Sequence, residues 1–364
     1  MKVKIGDLTK IKTGKLDANV SSEDGKYPFF TCSKEPLKIS TYSYDCECVL
    51  VAGNGDLNVK YYNGKFDAYQ RTYIIEDNGS GKLYMPYLYY FMEDYIDELR
   101  KQAIGGVIKY IKLANLTDAL IELPSVDEQK SIVEILKKVK GILDKRNDEI
   151  RELDNLIKAR FVELFGDPRS NPFGFEKKRL KDTCKVITGN TPSRAIEEYY
   201  GDYIEWIKTD NIVSGILNPT QATESLSEKG MNVGRTVEKD SILMACIAGS
   251  IASIGRVCIT DRTVAFNQQI NAVVPEQYNI LFLYVLFQMS KDYLVEDINM
   301  ALKGILSKSK LEEKEFIISP MDLQEQFSDF VKQVDKSKFD TMTFAPIYAI
   351  INLYLHTHFY QGRR

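Results

Sequence analysis

The stretch that decides the fold is DEQKSIVEILKKVKGILDKRNDEIRELDNLIKARFVELF, which runs from Asp127 to Phe165. Its apolar residues recur every seven positions, with others three positions further on, while lysine and glutamate fill the other faces. This spacing predicts one long helix, which at 1.5 Å per residue would measure about 58 Å. The predicted seam of the helix consists of Leu136, Val139, Leu143, Ile150, Leu153, Ile157 and Leu164.

Two arginines, Arg146 and Arg160, interrupt that seam. An interrupted seam favours a helix that packs inside the chain against one partner helix over a long dimeric coiled coil. The sequence after Leu323 offers such a partner, because its apolar residues keep helical spacing as far as Val334. We therefore predict a second, distal helix in that region.

The sequences on either side of the long helix repeat one another. They open with matching strings, Ile5–Gly14 and Leu180–Gly189, which lie 175 positions apart. They close with matching pairs, Glu128-Gln129 and Glu325-Gln326, which lie 197 positions apart. Two units of this length are too few for a solenoid, so they predict two globular domains of one design.

Matches also recur inside the two halves. Val49–Gly55, Phe66–Arg71 and Ala103–Val107 correspond to Ile242–Ser250, Val264–Gln269 and Ala301–Ile305. Each half begins with short strand-like runs separated by turn signals, among them Asn63-Gly64, which predicts a hairpin. Each then continues into a helical stretch, Tyr84–Leu99 or Ile280–Val295. Because helices follow clusters of strands, the predicted fold class is α+β rather than doubly wound.

Length and composition allow two ordinary cores, since 44% of the 364 residues are hydrophobic. The start, Met1–Lys4, has no apolar signal region, and the apolar stretch Phe344–Leu355 is too short to span a bilayer. We expect a cytoplasmic protein with no membrane role. The net charge of −3 does not argue against a nucleic-acid partner, because phosphate attraction decays over about 8 to 10 Å at physiological salt.

Six cysteines are scattered through predicted strands and loops, at Cys32, Cys46, Cys48, Cys184, Cys246 and Cys258. Cys46 and Cys48 could supply half of a zinc site. Structural zinc needs four ligands, and the two histidines, His356 and His358, stand at the far C-terminal end. We therefore expect free thiols and no metal ion.

One central string closely resembles a known family. LIKARFVELFGDP at Leu156–Pro168, followed by NPFGF at Asn171–Phe175, looks like the central region of the specificity subunits of type I restriction-modification enzymes. The resemblance covers residues 1 to about 339 and is most specific in this string. It implies two target-recognition domains separated by a conserved helix, with the distal helix antiparallel to the central one.

The resemblance divides the chain into four parts. These are target-recognition domain 1 (1–124), the central helix (125–166), target-recognition domain 2 (167–320) and the distal helix with an atypical apolar tail (321–364). Helical spacing is lost after Phe339, and Pro346 would cost about 3 kcal/mol in a helix interior. We expect a truncated distal helix, which makes Leu143, Ile150 and Ile157 candidates for exposure.

The resemblance also implies a chain that binds double-stranded DNA and catalyses nothing itself. Each domain would read one half of a bipartite, asymmetric target. Two modification subunits would bring S-adenosylmethionine, and restriction subunits would bring ATP and Mg²⁺, so no cofactor is expected in this chain. The motifs agree, because Asn171-Pro172-Phe173 lacks the second proline of an adenine methyltransferase site and no P-loop string occurs.

The candidates for DNA contact are polar, basic and aromatic residues at or beside predicted turns. Asparagine and glutamine can bond to adenine and arginine to guanine, while lysine more often holds phosphate. The candidates are Asn54, Asn58, Lys60, Tyr61, Tyr69, Gln70 and Arg71 in the first half, and Lys208, Thr209, Asn211, Ser250, Arg256, Asn267, Gln268, Gln269, Lys303 and Lys308 in the second. Gln70 and Gln268 are favoured because they recur at the same place in both halves.

Other functions remain open beside this one. A truncated specificity chain could act as a non-productive scaffold for partner subunits, or as a half-specificity subunit that dimerises. An autonomous enzyme is disfavoured by the missing motifs.

Overall fold

The computed structural model describes residues 2–298 and 304–342, which form two compact units. Unit 1 contains residues 2–146, and unit 2 contains the described residues from 147 to 342. The long helix Val126–Phe165 begins in unit 1 and ends in unit 2. The predictions of a mixed α+β fold and of one long helix between two strand-rich parts of the chain are confirmed.

Unit 1 is built on one six-stranded sheet. The strands of the whole unit are β1 (Lys2–Lys4), β2 (Thr9–Thr13), β3 (Tyr27–Phe30), β4 (Leu37–Ile39), β5 (Tyr44–Ala52), β6 (Val59–Ala68), β7 (Thr72–Asp77) and β8 (Leu120–Glu122). Its helices are α1 (Ile5–Leu8), α2 (Met85–Gln102), α3 (Leu113–Thr117) and the first part of α4 (Val126–Phe165). The sheet order is β2-β7-β5-β6-β3-β4, with β3 and β6 parallel, while β1 and β8 form a separate antiparallel pair.

The main core of unit 1 lies between the sheet and α2. Tyr87 and Phe91 of α2 are fully buried there, in one cluster with apolar residues of β5 and β7. Ile132, Val133 and Leu136 of α4 join the same cluster. The start of the long helix is therefore part of the unit 1 core.

The prediction of a hairpin at Asn63-Gly64 is wrong. Both residues lie inside β6, where they pair with Glu47 and Cys46 of β5. The connection between the two strands is Gly53–Asn58 instead. The continuous ladder of β5 and β6, from Tyr44–Phe66 to Val51–Val59, outweighs the local turn preference of two residues.

Unit 2 repeats this design. Its strands are β9 (Glu176–Arg179), β10 (Cys184–Thr188), β11 (Tyr200–Gly201), β12 (Ile204–Ile207), β13 (Ser225–Leu226), β14 (Thr236–Val237), β15 (Ile242–Ala245), β16 (Ile247–Ala248), β17 (Val257–Ile259), β18 (Val264–Phe266), β19 (Ile270–Pro275), β20 (Gly304–Ile305) and β21 (Glu315–Ile318). Its helices are the rest of α4, α5 (Glu228–Val233), α6 (Ile280–Met289), α7 (Lys291–Val295), α8 (Lys308–Glu313) and α9 (Met321–Met342). The helix predicted over Ile280–Val295 is thus two helices, with Ser290 between them.

The strand pairing shows how far the two units agree. The order β10-β19-β15 repeats β2-β7-β5, and the antiparallel pair of β9 and β21 repeats that of β1 and β8. The parallel pair of β12 and β18 likewise repeats that of β3 and β6. The duplication read from the sequence is therefore a duplication of topology.

Four phenylalanines hold α4 in the core of unit 2. Phe161 and Phe165 of α4 lie 5.6 and 4.7 Å, between ring centroids, from Phe282 of α6, and Phe327 of α9 packs against all three. All four are fully buried, and each such side chain contributes about 1.5 to 3 kcal/mol. The sequence pattern did not single out Phe161 or Phe165, because neither falls on the seven-residue register.

The predicted seam is only partly buried. Leu136 and Ile157 are buried, while Val139, Leu143, Ile150, Leu153 and Leu164 are half-buried. The expected exposure of Ile157 is wrong, because this residue belongs to the same cluster as Phe161. Leu143 and Ile150, the other two candidates for exposure, each keep part of their surface in solvent.

The distal helix α9 runs antiparallel to α4, as predicted. Lys338 Nζ lies 2.6 Å from Asp154 Oδ1 of α4 and 3.3 Å from Asp335 Oδ1 of its own helix. Nearer the start of α9, Phe330 packs under the guanidinium of Arg160, 5.9 Å from its ring centroid. Numbering therefore rises along α9 while it falls along α4. The predicted apolar tail and Pro346 lie outside the described residues.

Local chemistry explains where α4 begins and ends. At its start, Ser125 N donates to Glu128 Oε2 at 2.9 Å and Glu128 N donates to Ser125 Oγ at 3.4 Å, the reciprocal bonds of a capping box. The Ser125 hydroxyl also donates to Glu128 Oε2 at 2.7 Å, and this bond, together with the one from Ser125 N, lowers the pKa of the Glu128 carboxyl. At its end, Gly166 takes φ 70° and its N–H donates to Val162 O at 2.8 Å.

A buried glutamine fixes the first turn of α4. Gln129 Oε1 accepts a hydrogen bond from Tyr84 N at 2.8 Å, just before α2. Its Nε2 donates to Lys82 O at 2.8 Å and to Pro124 O at 3.0 Å. One side chain thus ties the loop before α2 to the loop before α4.

Gln324 does the same at the start of α9. Its Oε1 accepts from Asn279 N at 2.9 Å and its Nε2 donates to Ser319 O at 2.7 Å. Gln324 is therefore the counterpart of Gln129, at a separation of 195 positions, and the pairing of Glu325-Gln326 with Glu128-Gln129 is wrong in register. The string Gln324-Glu325-Gln326 contains two glutamines, and only Gln324, which is buried, makes these bonds.

Candidate nucleic-acid interface

One close main-chain approach is the same in both units. Gly14 N donates to Thr72 O at 3.1 Å, and Gly189 N donates to Ile270 O at 3.0 Å. A Cβ atom would lie 2.1 Å from a carbonyl oxygen at Gly14 and 2.2 Å from one at Gly189. Only glycine fits, so the loop after the first sheet strand lies directly against the turn before β7 or β19.

That turn, called here the reading turn, is Tyr69–Arg71 in unit 1 and Asn267–Gln269 in unit 2. Its central residue is a glutamine in both units, exposed in both. Gln70 Nε2 donates to Asp17 Oδ1 at 2.7 Å, and Gln268 Oε1 accepts from Thr191 Oγ1. Each glutamine therefore forms a hydrogen bond with the loop that follows Gly14 or Gly189. The recurrence seen in the sequence is a recurrence in space.

The third residue of the reading turn holds the neighbouring strand end. Gly53 N donates to Arg71 O at 2.8 Å, and Cys246 N donates to Gln269 O at 2.8 Å. The Arg71 side chain is exposed and has no ion-pair partner among the described residues. Tyr69 is half-buried. Arg71 is thus the free cation of this turn.

Other candidates of unit 1 are engaged within the protein. Asn58 Nδ2 donates to Cys32 O at 2.8 Å, and Asn58 Oδ1 accepts from Lys60 Nζ. Burial lowers the pKa of the half-buried Lys60 ammonium. Tyr61 OH donates to Glu47 Oε1 at 2.6 Å, and burial raises its pKa. Of these three residues, only Lys60 can carry a positive charge.

Asn54 connects the sheet to a further loop. It forms an isolated bridge with Tyr110, and Gly55 N donates to Lys109 O at 3.0 Å. The loops that carry Asn54 and Arg71 and the segment before α3 therefore meet at one end of the unit 1 sheet.

The sequence match of Ala103–Val107 with Ala301–Ile305 is wrong in register. Ile111 N donates to Gly53 O at 2.9 Å, and the corresponding bond after β15 comes from Leu306 N, at 2.8 Å. The counterparts are thus 195 positions apart rather than 198. Short glycine-containing strings resemble one another by composition, whereas main-chain bonds set the register.

In unit 2, Asn211 has a structural position. It is buried, and its Oδ1 accepts from Lys208 N at 3.0 Å, which closes the turn after β12. Lys208 Nζ lies 2.8 Å from Glu224 Oε1. Thr209 O accepts from Arg256 Nη2 at 3.2 Å, so the loops after β12 and before β17 lie together.

The remaining unit 2 candidates differ in exposure. Ser250 is exposed and its hydroxyl donates to Ser253 Oγ at 3.1 Å. Asn267 is buried, and its Oδ1 accepts from Gln269 N at 3.1 Å, which shapes the reading turn. Gln269 itself is half-buried.

Two lysines were predicted to lie near Gly304. Lys308 is exposed and lies 3.4 Å from Glu312 Oε1 on α8. Lys303 lies outside the described residues.

One cluster of unit 2 was missed by the sequence reasoning. The exposed Arg194 guanidinium lies 4.4 Å from the ring centroid of Tyr200 and 5.2 Å from that of Trp206, and 2.6 Å from Glu224. Lys208 lies over the same Trp206 ring at 5.2 Å. The single tryptophan of the chain was the available signal, since a cation over an indole face is a frequent arrangement.

Metal-ligating side chains and thiols were the remaining candidates for chemistry within the described residues. No three histidine, cysteine, aspartate or glutamate side chains in the described ranges are grouped so as to hold a metal ion. Burial raises the pKa of the Cys46 thiol to about 11 and that of Cys246 to about 12, so both are protonated at neutral pH. Within the same ranges, no helix is both long enough and apolar enough to cross a membrane.

Comparisons with known proteins agree on one family. The family model for the type I restriction modification DNA specificity domain matches residues 1–153 and 172–347. The specificity subunit of type I restriction enzyme EcoDI, from Escherichia coli, is 37% identical over 156 residues, which are 43% of this chain and 34% of that protein. The HindI specificity subunit of Haemophilus influenzae is 32% identical over 146 residues, 38% of this chain and 31% of that protein.

The matched segments thus span about a third of the length of these two relatives. Among solved structures, the S subunit of a type I restriction-modification system from M. genitalium superposes with a TM-score of 0.61 at 16% identity. That match covers 99% of this chain and 96% of the other. At this identity the likeness concerns the fold alone.

Proposed function

The chain belongs to the type I restriction modification DNA specificity family, and from that premise we propose that it is the DNA-binding specificity subunit of a type I restriction-modification complex. Each unit reads one half of a bipartite, asymmetric double-stranded target. The helix α4, which joins the units along the chain, sets the length of the unread spacer. The complex acts in the cytoplasm, where the DNA lies.

The observation that carries this proposal is the repeated reading turn. Two units that differ in most side chains keep the same glycine contact and the same central glutamine, at Gln70 and Gln268. A polar, exposed side chain on a turn whose main chain is fixed suits the reading of base edges, because such reading needs a side chain held in one place. Neighbouring residues then differ freely, which permits two different half-sites.

Partner subunits supply the chemistry in this proposal. Two modification subunits bring S-adenosylmethionine and flip the adenines to be methylated. Restriction subunits bring ATP and Mg²⁺ for translocation and cleavage. This chain contributes DNA contacts and a docking surface, for which the exposed apolar residues Ile135 and Ile142 of α4 are candidates.

The test is reconstitution of this chain with the modification subunits of a type I restriction-modification system. We expect sequence-specific adenine methylation by the complex, detected by methylome sequencing of expressing cells, and none by the modification subunits alone. The isolated chain should transfer no methyl group and cut no DNA. Methylation at unchanged sites without this chain, or catalysis by the chain alone, would contradict the proposal.

A further inference from the structure

An apolar tip projects beside the candidate interface of unit 1. Ile104 N donates to Tyr110 O at 3.0 Å and Tyr110 N donates to Ile104 O at 2.9 Å, which closes a loop between them. At the tip of that loop, called here the tip (Gly105–Lys109), Val107 is fully exposed and Ile108 is 63% exposed. Two branched aliphatic side chains therefore stand in solvent side by side.

The tip has a defined shape. Gly105 takes φ 115°, and a Cβ atom there would lie 2.6 Å from Ile108 O, so the loop folds closely on itself. Its base is attached to the sheet through the bridge of Tyr110 with Asn54 and the bond from Tyr73 OH to Ile111 O at 3.2 Å. A rigid base presents the two apolar side chains outward in a fixed place.

Cations without ion-pair partners among the described residues lie in the tip, at Lys109, and beside its base, at Arg71 and Lys112. Arg71, Lys109 and Lys112 are exposed, and none forms an ion pair within the described part of the chain. This local excess of positive charge stands out in a chain of net charge −3. An apolar tip with exposed cations in it and near its base fits a polyanion with apolar groups between its charges, which is a description of the DNA major groove.

Resting on the proposed function, we propose that Val107 and Ile108 read thymine by contact with its C5-methyl group in the major groove. Thymine is the one standard base that presents a methyl group there, and aliphatic side chains are suited to that contact. The free cations beside the tip hold the flanking phosphates. A protein partner with an apolar pocket would leave Arg71, Lys109 and Lys112 without a role.

The experiment removes single methyl groups from the DNA. Each thymine in the half-site read by unit 1 is replaced in turn by uracil, which lacks only that methyl, and the Kd of the complex with modification subunits is measured. We expect at least one replacement to weaken binding by about fourfold, the effect of one buried methyl group. Val107→Ala or Ile108→Ala should weaken binding to the thymine duplex and should abolish the effect of that replacement.

The matched control is Leu120→Ala, which truncates an exposed aliphatic side chain on β8, where Leu120 pairs with Lys4 of β1. Leu120→Ala should leave the Kd for the thymine duplex and for the uracil duplex unchanged. Thermal unfolding should show that this control and the two tip variants all fold. If wild-type complex binds its target but no uracil replacement or tip variant changes Kd, the tip proposal is wrong and the proposed function stands. Tip variants that impair subunit assembly at unchanged DNA affinity would also overturn it. Absence of any sequence-specific binding by the wild type would instead contradict the proposed function.

Discussion

At the scale of single residues, the structure separates buried or half-buried polar side chains from exposed ones on the reading turns. Asn58 donates to Cys32 O in another loop, while Asn211 and Asn267 accept hydrogen bonds within their own turns. Gln70, Gln268 and Arg71 extend from fixed main chain into solvent. The second group is where variants should change affinity without changing stability.

The first prediction concerns Gln268→Ala. Loss of a base-reading side chain should weaken DNA binding by about 1 to 3 kcal/mol and relax preference at one position of the unit 2 half-site. The control is Gln277→Ala, which removes an exposed glutamine bonded to Asp182 O just beyond the opposite end of β19. Binding to a set of single-base target variants measures both effects. Equal behaviour of the two variants would return Gln268 to a purely structural role.

The second prediction concerns Lys60→Met. Burial lowers the pKa of this lysine in the folded state, so its charge destabilises the fold below that pKa, and the penalty disappears as pH rises toward the ordinary value of 10.5. Lys60→Met should therefore raise the free energy of unfolding at pH 7.5, with a smaller gain at pH 10. It should also weaken DNA binding and reduce the salt slope by about 1.

Denaturant unfolding at the two pH values and Kd at several salt concentrations measure these effects. Lys26→Met is the control, because Lys26 is an exposed lysine whose Nζ lies 5.9 Å from the centroid of the Tyr27 ring, outside the reading turn in the sequence. A loss of stability in Lys60→Met at pH 7.5 would show that the charge is not a penalty.

The candidate site was predictable at this scale only in part. Gln70 and Gln268 could be found because the duplication compares two turns, and the structure places them alike. Asn211 could not be distinguished from them, because an amide that closes a turn and an amide that reads a base are the same chemical group. Whether it is buried depends on contacts distant in sequence.

At the scale of elements, the first turns of α4 and α9 depend on one buried side chain each. Gln324→Ala would leave Asn279 N and Ser319 O without partners, at about 1 to 3 kcal/mol for each buried group. We therefore predict that Gln324→Ala lowers the free energy of unfolding by about 2 to 4 kcal/mol.

The control for that change is two residues further along the same helix. Gln326 is exposed, so Gln326→Ala should change the unfolding free energy by less than about 0.5 kcal/mol. Denaturant midpoints of both variants decide the matter. The opposite ranking would support the register in which Gln326 is the counterpart of Gln129.

Elements with long regular patterns were predictable, whereas register was not. The seven-residue spacing identified α4 to within one residue of Val126–Phe165. The hairpin predicted at Asn63-Gly64 is absent because β6 pairs with β5 without interruption from Val59 to Phe66. Phe161 was missed because α4 packs against both α6 and α9 there, and a helix with two neighbours buries a wider face than a two-helix seam does.

At the scale of the whole molecule, two cores of one design predict two separable readers. Each unit has its own sheet and cluster of buried side chains. Exchange of residues 1–124 for the first recognition domain of another family member should change one half of the target and leave the other half unchanged. Methylome sequencing of cells with parent and exchanged chains measures this. A change in both half-sites would contradict independent reading.

The fold at this scale was predictable because duplication and the long helix are visible as repeated strings and as a period. The ends of the chain were a different matter, since the expectation of a foreign apolar tail concerns residues outside the described ranges. The sequence pattern also did not show how the part of α9 before Phe339 packs. Phe327 packs against three phenylalanine rings, and Lys338 forms ion pairs with two aspartates.

The glycine contacts at Gly14 and Gly189 bear on how new specificities could be evolved in the laboratory. In a library that randomises either codon, most variants would not fold correctly, because the Cβ atom of any other residue would lie 2.1 or 2.2 Å from a carbonyl oxygen. A library restricted to the outward codons of the two reading turns leaves the main-chain frame intact. Selection then searches a few positions per unit, and winners from the two units can be recombined in one gene.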